Sequence, residues 1–342
     1  MNQEQNDVVV SVRDLHVNFY NNNRCNKVLR GISFDLHKRK IMCIVGESGC
    51  GKSVTANSIM LLLPDLARIE KGSIDFYYRG KDIRIDQLKR KGKEMRQLRG
   101  AGMSMIFQDP MTALNPVFTV GSQINEALLY HGQAYNKKEA TEKSIELLKD
   151  MGISLPEQRV REYPYQFSGG MSQRAMIAMA MSCRPKVLIA DEPTTALDVT
   201  IQAQIFDLML DLKNSNDTAI LLITHDMGVV AELADDVAVM YMGNIVERGD
   251  ARAVLTRPTH PYTKALLDSI PVLGRGKNQN LKPIKGSTPD PYNRPNGCQF
   301  APRCSYCTEE CASRMPDESW IEGGHMCRCF HSLPIRKEGI HD

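Results

Sequence analysis

The sequence predicts an α/β fold with a largely parallel core sheet, and three observations carry that prediction. Segments of strand length alternate with segments of helical spacing from residue 8 to about residue 234, the pattern of strands joined by crossover helices. The runs IMCIV (41–45), VLIA (187–190) and AILLI (219–223) are apolar throughout, as strands covered on both faces must be. The first of them leads straight into a glycine-rich turn and then a helical pattern.

Taken in order, residues 8–19 (VVVSVRDLHVNF) alternate and are rich in β-branched residues, so they read as a strand, and 32–36 as a second. A helix is expected from Lys52 to about Leu63, stopped by Pro64. Residues 66–105 are charged and irregular, with a strand at 103–107. Within them the basic stretch KRKGKEMRQLR (89–99) reads as a solvated helix face. Helical spacing covers 120–152, 200–213 and 227–234, and 172–183 is a Met- and Ala-rich helix in which Met176, Met179 and Met181 fill core. From about Arg257 the composition changes, and 271–304 is rich in Pro, Gly and Asn. Residues 1–256 are expected to form one domain and 257–342 a second, small and cysteine-rich one.

The 43 Lys and Arg nearly balance the 40 Asp and Glu, which argues against a nucleic-acid partner. No apolar run approaches the ~20 residues of a membrane-spanning helix, and the first residues lack the basic start and apolar core of a signal peptide. A cytoplasmic chain is expected, one that relies on other chains for any spanning part.

Residues 46–53, GESGCGKS, fit G-x-x-x-x-G-K-[ST] between an apolar strand and a helix, the context that a phosphate-binding loop requires. Gly46, Gly49 and Gly51 let the backbone curl so that its amides converge on phosphate oxygens. Lys52 reaches the outer phosphates and the Ser53 hydroxyl ligates Mg²⁺. VLIADE (187–192) ends a buried strand on two carboxylates. Asp191 suits the Mg²⁺ and Glu192 the activation of water as general base.

Further motifs resemble those of ABC ATPases. FSGGMSQ (167–173) resembles the signature, ALD (196–198) the D-loop, His225 in ITHD the switch histidine, and Gln108 in FQDP the Q-loop glutamine, all in the family's order. The resemblance implies ATP contacts from Phe19, Glu47, Ser48, Cys50 and Val54 beside the glycines, Lys52 and Ser53. Phe19 resembles the aromatic that stacks on adenine, with Tyr20 as the alternative. It implies that Gln108 joins Ser53 and Asp191 at Mg²⁺, and that His225 and Lys52 assist Glu192. Ser168, Gly169, Gly170 and Met171 would close on the ATP of a partner subunit, and Asp198 would be the D-loop acid. Met171 stands where many members have Gln, and an SGGM form is usual in one branch. A helical subdomain is expected at about 109–183. Only 116 positions separate Lys52 from Ser168, too few for the coiled-coil insertions of DNA-repair ATPases of this class.

FQDPMTALNP (107–116), HPYTKALL (260–267) and the tail GCQFAPRC…HMCRC resemble the ATPases of oligopeptide and dipeptide importers. That family implies a second ATPase chain, two transmembrane permeases, an extracytoplasmic binding protein, and attachment at the cytoplasmic face of the membrane. Its cargo also includes nickel chelates and other small molecules. Six of the ten cysteines lie between Cys298 and Cys329, and a cytosolic setting points such a cluster to metal, not disulfides. Cys298, Cys304 and Cys311, with Cys327 or Cys329, supply four thiolates for a [4Fe–4S] cluster or Zn²⁺. The family pattern favours Cys329, and CSYC (304–307) keeps zinc open. His260 and His325 read as capping or packing residues.

Overall fold

A computed structural model describes residues 7–21, 24–194, 197–269 and 283–333. Twelve strands occur among them: β1 (Val8–Asn21), β2 (Arg24–His37), β3 (Ile41–Val45), β4 (Ala67–Tyr78), β5 (Lys81–Arg84), β6 (Met103–Ile106), β7 (Val187–Asp191), β8 (Ala219–Ile223), β9 (Asp236–Tyr241), β10 (Asn244–Asp250), β11 (Ser319–Ile321) and β12 (His325–Cys327). The main sheet runs β11-β12-β10-β9-β3-β8-β7-β6, and a second sheet runs β2-β1-β4-β5. From β9 to β6 every pairing is parallel. At the β9 edge the sheet continues antiparallel through β10, β12 and β11.

The two faces of the central strands part by the two-residue period. Ile41, Cys43, Val45, Leu188, Ala190, Ile220 and Leu222 face one core, shared with helices. Met42, Ile44, Ile189, Leu221 and Ile223 face the other, shared with Val10, Val12, Phe34, Ile74 and Phe76 of the second sheet. The main sheet is therefore the middle layer. Full burial of each large side chain contributes about 1.5–3 kcal/mol, which is why β3, β7 and β8 carry no polar residue before Asp191.

Several elements differ from expectation. The second sheet is antiparallel, and β4 and β5 occupy the segment read as irregular. The first helix spans Lys52–Ile59 and stops short of Pro64. Leu61 turns left-handed (φ 48°), and Arg99 caps the freed carbonyls of Met60 (2.8 Å) and Leu61 (3.0 Å). The helical stretch at 120–152 is two helices, Val120–Tyr130 and Lys137–Asp150, the second capped by Asn136. Among the described residues, no helix is long and apolar enough to cross a membrane.

Candidate nucleotide-binding site

The phosphate loop leaves the end of β3 in the middle of the sheet. Gly46, Gly49 and Gly51 all have positive φ (152°, 78° and 110°). A Cβ on Gly46 would stand 2.2 Å from the Met240 carbonyl oxygen, so glycine is required there by space as well as conformation. Gly51 precedes the helix Lys52–Ile59 and offers it no side-chain cap, which leaves first-turn amides available to an anion. Lys52 Nζ donates to the carbonyls of Gly46 (2.8 Å) and Glu47 (3.2 Å). Cys50 is buried and Val54 half-buried.

Asp191 is buried at the end of β7, where the Ser53 hydroxyl favours its charged form. Its Oδ1 is buried with no hydrogen-bond partner. Burial pushes this carboxyl above its ordinary pKa, against the pull of Ser53 and Lys52. Glu192 follows in the left-handed region (φ 48°), its amide held by the Ile223 carbonyl at 2.9 Å. Such strain in a non-glycine residue costs of order 1–3 kcal/mol and collects at functional sites. Gln108 Nε2 donates to Glu192 Oε2 (3.2 Å), and His225 Nδ1 lies 3.4 Å from Oε1. The His225 side chain is 66% exposed, that of Glu192 only 16%. The fold thus brings Lys52, Ser53, Gln108, Asp191, Glu192 and His225 to one end of the parallel strands, where open α/β sheets bind ligands.

Phe19 is half-buried near the end of β1 and packs on the second core. Tyr20 is occupied elsewhere: its hydroxyl donates to Glu70 (2.7 Å) and Arg68 stacks on its ring. Ser168 caps the helix Gly169–Met181, accepting from the Met171 amide at 3.3 Å. Ser168 and Gly169 are exposed, Gly170 and Met171 half-buried. A Cβ on Gly169 would meet nothing within 4 Å, so packing in this chain does not demand a glycine there. Asp198 likewise caps Val199–Asn216, while Ala196 lies outside the described residues. The sequence reading missed Gln173, whose side-chain amide donates to the Pro193 carbonyl and so ties the signature helix to the turn after Glu192.

The ABC transporter family model matches residues 29–195, and the model described as oligopeptide/dipeptide transporter, C-terminal region, matches residues 246–311. The chain is 49% identical over 323 residues to the dipeptide transport ATP-binding protein DppD of Bacillus subtilis, covering 94% of each. It is 46% identical to DppD of Escherichia coli, covering 95% of this chain and 97% of that one. The chain belongs to the ABC transporter ATP-binding proteins. Its fold is that of a solved dimeric ATP-binding cassette, MJ0796, bound to ADP and Pi (TM-score 0.63, 24% identity, 71% of this chain and 99% of that one).

This ABC ATPase carries its C-terminal segment against the nucleotide-binding end. Cys298, Cys304, Cys311 and Cys329 line one cavity, beside Phe300 and Phe330. Cys327 is instead buried on β12 beside Thr259, and Cys307 is exposed. Burial pushes the thiols of Cys298 and Cys304 up, and that of Cys329 to about 11. Among the described residues, no group of three or more His, Cys, Asp or Glu is arranged to hold a metal ion. His260 caps Pro261–Asp268 by accepting from the Tyr262 amide (3.0 Å), and burial lowers its pKa to about 4. His325 Nε2 donates to the Glu247 carboxylate at 2.7 Å.

Proposed function

We propose that this ABC ATPase drives the import of di- and oligopeptides from the cytoplasmic face of a membrane. One observation carries the cargo class: the relation to dipeptide transport ATPases covers 94% of both chains, past the nucleotide core and through the cysteine segment. In this reading Lys52 and the uncapped amides at the start of its helix hold phosphate oxygens. Glu192, oriented by Gln108 and His225, accepts a proton from the attacking water. Ser53, Asp191 and Gln108 would hold Mg²⁺. The buried Oδ1 of Asp191 with no partner fits a cation, since an orphaned buried acceptor otherwise costs about 1–3 kcal/mol. Bound Mg²⁺ supplies charge neutralisation at the phosphates.

Ser168, Gly169, Gly170 and Met171 serve the ATP of a second, paired ATPase, and the open space over Gly169 supports that assignment. Two permease chains and an external binding protein complete the importer. Cys298, Cys304, Cys311 and Cys329 form a small C-terminal unit around a [4Fe–4S] cluster. Four thiols lining one cavity suit a cluster that takes each thiolate on its own iron. The cluster supplies cross-linking to a segment with little core of its own.

The test is purification from native membranes, anaerobically and in mild detergent. A second ATPase, two polytopic chains and a binding protein are expected, with iron and sulfide in equal amounts and ATP hydrolysis stimulated by added dipeptides. Stimulation by nickel chelates alone, recovery of the chain without permeases, or protein free of iron overturns the corresponding part.

A further inference from the structure

Glu47, the second residue of the phosphate loop, is held by three residues of the C-terminal segment. Arg303 grips its carboxylate with both terminal nitrogens, at 2.6 and 2.9 Å. Thr288 donates its hydroxyl to the same carboxylate (3.2 Å), and the Glu47 amide donates to the Tyr262 hydroxyl (2.9 Å). The pair is well shielded: the Arg303 side chain is 4% exposed and that of Glu47 26%. Arg303 also bonds the Lys285 carbonyl (3.1 Å) and the Tyr241 hydroxyl (3.3 Å). Tyr241 itself packs in an aromatic cluster with Tyr262 and Phe300. The guanidinium is thus fixed before the loop meets any ligand.

Bidentate geometry gives both strength and orientation. It answers an electrostatic problem of this loop, which carries an acid where it must receive a polyanion. A free carboxylate there would repel phosphate, whereas one paired with a fixed guanidinium does not. We infer that Arg303 is a positioning residue for ATP binding: it cancels the charge of Glu47 and fixes the entry of the phosphate loop. The C-terminal segment therefore helps set nucleotide affinity. The inference rests on the phosphate loop being the ATP site.

The experiment measures the affinity of the full chain for the fluorescent nucleotide MANT-ATP in four forms: wild type, Arg303→Ala, Glu47→Gln and the double variant. Arg303→Ala is expected to bind about tenfold more weakly, since it leaves a charge unpaired. Whatever Glu47→Gln itself costs, adding it to Arg303→Ala should bring binding back to the level of Glu47→Gln alone, the coupling a double-mutant cycle isolates. In the assembled complex, KM for ATP should rise for Arg303→Ala with kcat little changed. A purely structural role predicts instead that the double variant is no better than Arg303→Ala, and that result, or unaltered binding by Arg303→Ala, overturns the inference. If Arg303→Ala does not fold, Arg303→Gln takes its place with the same expectations. Lys52→Ala separates the two readings: if it binds MANT-ATP as well as wild type, the nucleotide-site assignment fails, and the clamp with it.

Discussion

Asp191 is a single residue at which the fold bears a cost. Its carboxyl is buried, has one oxygen without a partner, and is pushed above its ordinary pKa by that burial. The sign follows: an acid with a raised folded pKa weakens the fold as pH rises past its unfolded value. Asp191→Asn should therefore raise the Mg²⁺-free melting temperature at pH 8 by about 2–4 °C, for relief on the order of 1 kcal/mol. The same change should abolish Mg²⁺-dependent hydrolysis. Calorimetry beside an ATPase assay checks both, and a lower melting temperature with activity kept would remove Asp191 from the role. At this scale the sequence was most legible in the glycine loop and in VLIADE, because phosphate chemistry fixes residue types at short spacing. It was least legible at Gln173 and Arg303, whose partners are distant in sequence and carry no local signal.

Among the elements, β12 owes its place to one buried acid. The Glu247 side chain on β10 is 0% exposed. It accepts from the Thr259 amide (2.7 Å), the Thr259 hydroxyl (2.9 Å) and the His260 amide (2.9 Å), and pairs with His325 at the start of β12. Burial opposes ionisation of Glu247, but the bonds from His325 and the Thr259 and His260 amides hold its pKa below the ordinary value. A depressed acid stabilises the fold above its unfolded pKa and loses that contribution as pH falls through the folded one. Thermal melts from pH 8 to pH 3 should show stability lost as pH falls below the ordinary glutamate value. Glu247→Ala should cost about 3 kcal/mol at neutral pH and flatten that acid limb; an unchanged limb would mean another group controls it. The buried runs of β3, β7 and β8 could be read directly. β4 could not, because its sequence ARIEKGSIDFYY places charge on an exposed face. β9 and β10 are joined through Met242 and Gly243, both at positive φ (45° and 82°), a primed-type turn without its usual Asn-Gly or Asp-Gly signal.

For the whole molecule, the decisive surfaces point away from the chain's own core. Gly169 sits exposed at a helix start with open space above it. Gly169→Asp should leave MANT-ATP binding by this subunit within about twofold. In the assembled pair it should lower hydrolysis at the partner's site by about 10²-fold, the scale of losing one preorganised donor at a developing charge. Equal damage to this subunit's own binding would argue against the division of labour. The composition change near 256–270 marks where the sequence alters style, yet contacts continue across it: β12 extends the main sheet and Arg303 reaches the phosphate loop.

That last contact joins positions 256 residues apart and binds them in descent as well as in space. A lineage that drops the acid at 47 is left with a shielded guanidinium and no counter-charge, and one that drops the arginine at 303 is left with an acid facing a polyanion. The second step is the costly one, so a change at 303 is expected to accompany or follow one at 47. A tail borrowed from a paralogue should be accepted only when its residue at 303 suits the loop it inherits.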